Sequence, residues 1–161
     1  MRKDKINYYL DIAQSVSERS TCLRRHFGCV IVKNDEIIST GYNGAPRGRK
    51  NCDDLGVCYR EKLDIPRGER YELCRSVHAE QNAVISASRN ELLGADLYMV
   101  GINAKTKEVE PNLSSCMMCK RVVINSGISR VIVREPNSKY TVYNVEDWIK
   151  DDDSLNGKLG Y

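Results

Sequence analysis

The 161-residue chain is predicted to be an α/β protein, a three-layer α/β/α domain built on a mixed sheet of about five strands. Three observations predict it. β-rich runs alternate with stretches of helical periodicity, the first two such runs are near enough to pair antiparallel, and no repeat or low-complexity segment breaks the alternation. The length suits a single domain with a substantial core, expected over residues 1–161.

The elements follow in order. Ile6, Leu10, Ala13 and Val16 form one helical face with Asp4 as its cap. Gly28 to Lys33 and Glu36 to Tyr42 are strands joined through Asn34-Asp35, a hairpin signal. The segment from about Gly44 to Arg75 is rich in Gly, Pro, charge and cysteine without a sustained period, so it reads as a long functional loop. Ser76 is the expected cap of a helix carrying Ala79, Ala83, Val84 and Ala87 on one face. A strand around Asp96 to Ile102 precedes a second helix, capped by Ser115 and ended by Gly127. Arg130 to Arg134 is a strand stopped near Pro136, Thr141 to Val145 a short strand, and a last helix contains Trp148 and Ile149. The run Asp151-Asp152-Asp153 is expected to be a solvated tail.

Composition removes several function classes. A net charge of +3 is too small to argue for a nucleic-acid polymer as partner. No apolar run follows Met1-Arg2-Lys3 and no stretch approaches the length of a membrane span, so secretion and membrane insertion lack support. Seven cysteines in such a chain read as reduced thiols and metal ligands, with the cytoplasm as the expected compartment.

The chemistry concentrates in His78-Ala79-Glu80 and Cys116-Met117-Met118-Cys119. Structural zinc sites close with four protein ligands, whereas catalytic ones keep three and leave a position for water. His78, Cys116 and Cys119 supply three, and Glu80 is left over to move protons. Cys116 and Cys119 share a helix face, and a helix N-terminus favours their thiolates.

These residues, with Gly41-Tyr42-Asn43-Gly44-Ala45-Pro46 and Val77 to Ala83, resemble the deoxycytidylate deaminases of the zinc-dependent cytidine deaminase superfamily, from about Ile6 to Arg134. The resemblance implies a cytidine-deaminase-like fold and hydrolytic deamination of dCMP to dUMP and ammonia, supplying dUMP for thymidylate synthesis. It implies that the Ala79 amide binds the pyrimidine carbonyl, that Asn43 holds base and sugar, and that the Ser115 carbonyl accepts from the pyrimidine amino group. Ser115 stands where the signature has proline, and the segment Gly101 to Ser114, longer than is usual, is expected to form a small hairpin near the site entrance. Arg24, Arg25 and His26, with Arg47, Arg49 and Lys50, put positive charge at both ends of one hairpin and are candidates for phosphate binding. The family further implies homo-oligomers, often hexamers, and dCTP and dTTP effectors with Mg2+, for which Arg89 matches a regulatory position.

Cys22, Cys52, Cys58 and Cys74 are expected to hold a second, structural zinc, with Cys29 excluded as a core residue. Two other readings stand beside dCMP deamination. One is a deaminase of another cytosine nucleotide or nucleoside or of tRNA adenosine, and the other is a nucleotide-binding regulatory zinc protein.

Overall fold

The computed structural model of the chain describes residues 1–152 and Leu155. Helix α1 (Lys5–Ser17) begins at Asp4, whose carboxylate accepts from the Asn7 N–H at 2.9 Å. Strands β1 (Arg25–Lys33) and β2 (Glu36–Tyr42) form the hairpin, with Asn34 and Asp35 at φ 52° and 62°. Positive φ at both turn residues is the conformation that matches the twist of the two strands. Between β2 and the next core helix, where the sequence predicts a long functional loop without a sustained period, the chain forms short helical turns, α2 (Cys52–Leu55), α3 (Tyr59–Lys62) and the 3₁₀ turn Tyr71–Leu73. One turn of helix is too short to show a period, so a sequence pattern cannot display it.

Helices α4 (Ala79–Ile85) and α5 (Arg89–Leu92) lead to β3 (Asp96–Asn103), then α6 (Met117–Ser126), β4 (Arg130–Arg134), β5 (Tyr140–Asn144) and α7 (Val145–Lys150). Gly127 at φ 83° ends α6 as expected. Residues Lys105 to Glu108 form the expected small hairpin, closed by the Asn103 N–H on the Glu108 carbonyl and a bridge between Ile102 and Val109. Asp151 and Asp152 are exposed, while Asp153 of the same acidic run lies outside the described residues.

The strands form one mixed sheet in the order β2-β1-β3-β4-β5. Side chains alternate across it, as a period of two requires. Cys29, Ile31, Leu97, Met99, Val131 and Val133 face a core shared with α4 and α6, whereas Val30, Val32, Tyr98, Val100 and Ile132 face α1 through Tyr9, Leu10 and Ala13. Helices therefore cover both faces, and the three-layer expectation holds.

Strand direction places the functional end of the molecule. β1 is antiparallel to both β2 and β3, so β2 and β3 run the same way, and β3 is parallel to β4. α4 follows β2 and α6 follows β3, and both pack on the same face. Their N-termini consequently meet at one edge of the sheet, the carboxyl end of these strands, where ligands of α/β proteins usually bind. Two glycines let the helices come close. A Cβ on Gly41 would lie 2.4 Å from the Ala79 carbonyl oxygen and from the Ala83 nitrogen, and one on Gly28 would lie 2.0 Å from the Ala13 carbonyl oxygen on the opposite face.

Candidate active site

His78 is set by an extended backbone on one side and a helix on the other. Val77 exchanges hydrogen bonds with Gly44 (2.7 and 3.2 Å), which holds the strand-like path up to His78. His78 itself, at ψ 156°, is the residue before α4, and its N–H donates to Gln81 Oε1 at 3.0 Å. Ser76 was the expected cap, but its hydroxyl is buried without a partner and the helix starts two residues later. α4 is fixed to β2 by Ser39 Oγ donating to the Ala83 carbonyl (2.7 Å) and by Asn82 Nδ2 donating to the Tyr42 carbonyl (2.8 Å). At the second helix Cys116, rather than Ser115, takes the cap position, its sulfur accepting from the Cys119 N–H at 3.5 Å.

His78 Nδ1 lies 3.3 Å from Cys119 Sγ and 3.5 Å from Cys116 Sγ, and the three ligand atoms all lie within 4.8 Å of one another. Tetrahedral zinc with Zn–N near 2.0 Å and Zn–S near 2.3 Å needs edges of roughly 3.5 to 3.8 Å. The donor set and its spacing therefore fit the ion. With three protein donors, a bound zinc would have a fourth position for an exchangeable ligand. The three side chains act strongly on one another. Burial pushes the His78 imidazole down, but its bonds to Cys116 and Cys74 and the Glu80 charge outweigh that and raise it to about 10. The bond from Cys119, and then the one from His78, bring Cys116 down to about 4, while Cys119 is pushed up as the proton-holding partner. A metal ion takes the thiolate and neutral imidazole forms, so its binding releases protons.

Glu80, in the first turn of α4, is buried and is not one of the three cluster residues. Burial raises its carboxyl above the usual range, against the opposing pull of His78. Ser115 is fully buried beside it, and its hydroxyl makes no bond of normal geometry although it faces the Glu80 carboxyl. Ala79, first in α4, has an N–H with no acceptor inside the helix.

A cleft opens onto this cluster and is walled by Arg24, Arg25, Phe27, Asn43, Arg60, Tyr71, Ala79 and Met99, among others. Asn43 reaches it, but its side chain also stitches the start of β1. Its Oδ1 accepts from Ser20 Oγ (2.5 Å) and the Phe27 N–H (2.9 Å), and its Nδ2 donates to the Arg25 carbonyl (3.0 Å). One amide hydrogen is left over. Of the basic residues expected around a phosphate, Arg24 and Arg25 line the cleft. His26 instead bonds the Cys22 carbonyl at 2.9 Å. Arg47 and Arg49 turn away and line a different cleft beside β2 with Tyr42, Pro46 and Asn82, because the chain reverses after Pro46. Arg89 opens α5 on the surface, well outside the cleft lining.

Cys22, Cys58 and Cys74 border the cleft and Cys52 lies close enough to feel their charges, yet among the described residues the one group of three or more within mutual ligand range is His78, Cys116 and Cys119. Cys29 is fully buried in the core, as expected. Sequence reading missed Arg60, Tyr71, Phe27 and Met99 as cleft residues. No local signal marks them, since the fold brings them from a helical turn, a 3₁₀ turn and two strands.

A three-ligand thiolate–imidazole centre with a free carboxylate, at the carboxyl edge of an α/β/α sandwich, defines a zinc-binding domain of catalytic type. The profile of the cytidine and deoxycytidylate deaminase zinc-binding region matches residues 3–135, and the chain belongs to that family. It is 36% identical to the deoxycytidylate deaminase of Mycobacterium phage D29 over 136 residues, covering 81% of this chain and 94% of the relative. It is 32% identical over 140 residues to the deoxycytidylate deaminase of Schizosaccharomyces pombe, 87% of this chain but 38% of that protein's length. The dCMP deaminase of the cyanophage S-TIM5, solved with dCMP and dUMP, aligns at 25% identity with a TM-score of 0.57 over 84% of each chain. Among the described residues no helix is long and apolar enough to cross a membrane.

Proposed function

We propose that the protein is a zinc-dependent aminohydrolase that converts dCMP to dUMP and ammonia. The observation carrying this is the buried Glu80 carboxyl standing beside, and outside, a three-ligand cluster of zinc dimensions. Zinc held by His78, Cys116 and Cys119 would supply the Lewis acidity that makes water a nucleophile at neutral pH. Glu80 accepts a proton from that water, delivers it to N3 of the pyrimidine, and moves a second toward the departing amino group. Burial, which raises its pKa, favours the protonated form that it needs when it acts as an acid. The Ala79 N–H receives the pyrimidine carbonyl oxygen, the Ser115 carbonyl accepts from the amino group, and Asn43 positions base and sugar. Arg24 and Arg25 face the phosphate.

The test is ammonia release by the zinc-loaded protein from dCMP, dCTP, deoxycytidine and cytidine in parallel. dCMP is expected to lead by a wide margin, because its phosphate adds charge-assisted contacts. Equal efficiency on dCMP and deoxycytidine overturns the nucleotide reading, and activity on cytidine alone moves the protein to the nucleoside deaminases.

The same reading places one domain over residues 1–161, in the cytoplasm, as a homo-oligomer such as a hexamer, with dCTP and dTTP effectors carrying Mg2+ and acting near Arg89. Cys22, Cys52, Cys58 and Cys74 hold a second zinc once their sulfurs draw together. Metal analysis checks this: about two zinc ions per chain, falling to one in the Cys52→Ser, Cys58→Ser double variant. A single zinc in the fully metallated protein removes the second site.

A further inference from the structure

Three guanidinium groups line the cleft, and they differ in what neutralises them. Arg24 is paired with Glu61 at 3.1 Å and Arg25 with Glu110 at 3.5 Å. Arg60 is only 4% exposed, and among the described residues no carboxylate is within ion-pair distance of it. Its Nη2 donates to the carbonyl oxygens of Pro66 and Glu69, both at 2.7 Å, and its Nε is buried with no acceptor. Carbonyls fix the direction of a cation but do not cancel its charge. Buried charges are ordinarily paired, and a donor without an acceptor adds a further cost. A cation held in this state is matched to an anion that arrives with the ligand.

Placement agrees with charge. The Arg60 guanidinium lies 4.3 Å over the Tyr71 ring, and that ring meets the His78 imidazole edge-on at 5.4 Å. A single aromatic ring thus links the cation to the metal cluster, and both border the same cleft. We infer that Arg60 is the specificity-determining residue that receives the phosphate monoester of the nucleotide, with Tyr71 and the two carbonyls holding its guanidinium in position. The inference rests on the nucleotide reading above and deepens it. Both Nη2 hydrogens are given to carbonyls, so Nη1 is the group left to donate to the phosphate oxygens, in charge-assisted bonds. The competing role is a counter-charge for the cysteine group, since Arg60 also acts electrostatically on Cys74.

The experiment measures kcat/KM on dCMP and on deoxycytidine for zinc-loaded wild type, Arg60→Gln and Arg60→Lys, with zinc content and thermal melting recorded for each. Arg60→Gln is expected to lose roughly 30- to 100-fold on dCMP while changing deoxycytidine turnover by no more than about threefold, as loss of charge-assisted bonds predicts. Arg60→Lys should fall between, and competitive inhibition of deoxycytidine turnover by inorganic phosphate should weaken in both. An equal loss on both substrates, with or without loss of zinc, overturns the inference and favours the counter-charge role. Should Arg60→Gln fail to fold, the substrate ratio in Arg60→Lys decides alone. A wild type that prefers dCMP while the variants keep its ratio sinks this inference only. A wild type with no preference sinks the nucleotide reading and takes this inference with it.

Discussion

Glu80 is one residue away from the first turn's amide and two from the imidazole, and among the described residues it is the one buried acidic side chain, outside the cluster. Its role separates cleanly from metal binding. Glu80→Ala is expected to retain zinc at wild-type stoichiometry and lose turnover by about 10²- to 10⁴-fold, the range for general acid–base catalysis. Zinc analysis and a dCMP assay on the same preparation check this, and release of the metal would reassign Glu80 as a ligand. Cys119→Ser should instead lose metal and activity together, because a hydroxyl does not replace a thiolate donor. These residues were legible in the sequence because their spacings are local: His78 and Glu80 lie in one turn, and Cys116 and Cys119 on one face. Arg60 was not legible, since neither its burial nor its lack of a carboxylate can be seen without the neighbours the fold supplies.

The elements were read more surely than their ends. α1, β1, β2, β3, β4 and α6 stand where periodicity placed them, while both functional caps were misplaced toward the nearest serine. The bridge of Val77 with Gly44 keeps the backbone extended past Ser76, and the Cys116 sulfur performs the capping that Ser115 was expected to perform. Tertiary pairing overrides cap preference in both. Helix placement depends instead on glycine. Gly41→Ala would drive a methyl into the backbone of α4, so stability should fall by about 1–3 kcal/mol as for other overpacked sites, and zinc affinity should fall as His78 and Glu80 shift. Gly28→Ala crowds α1 on the other face, where a similar drop in melting temperature should leave zinc affinity nearly unchanged. Calorimetric zinc titration of both variants distinguishes the two faces, and equal losses of affinity would mean that α1 and α4 do not move independently.

At the scale of the whole molecule, α1 is tied to the sheet through Asp11, which accepts from Arg134 Nη2 at 2.7 Å on β4 and pairs with Lys3. The Lys3 bond, and after the opposing effect of burial the Arg134 bond, hold the Asp11 carboxyl below its usual 3.8. A depressed folded pKa gives stability that is present above the unfolded value and is lost as pH falls through the folded one. Asp11→Asn is therefore expected to melt below wild type at pH 7, with the gap closing as pH drops below about 4. Melting curves across pH 2.5–7 test this, and a gap independent of pH would assign the loss to shape instead of charge.

Chain connectivity gives the meeting of two helix starts at one sheet edge a mechanical meaning. His78 and Cys116 are 38 residues apart, so one ion bound to both closes a loop that spans α4, α5, β3 and the small hairpin. By the chain-entropy relation for a cross-link of that span, the tether is worth on the order of 4 kcal/mol. Chelation should then act like cutting a staple, and the damage should be local in space though remote in sequence. Amide exchange in the first turns of α4 and α6 should quicken together on metal removal, while the β1–β3 ladder at the centre of the sheet keeps its protection.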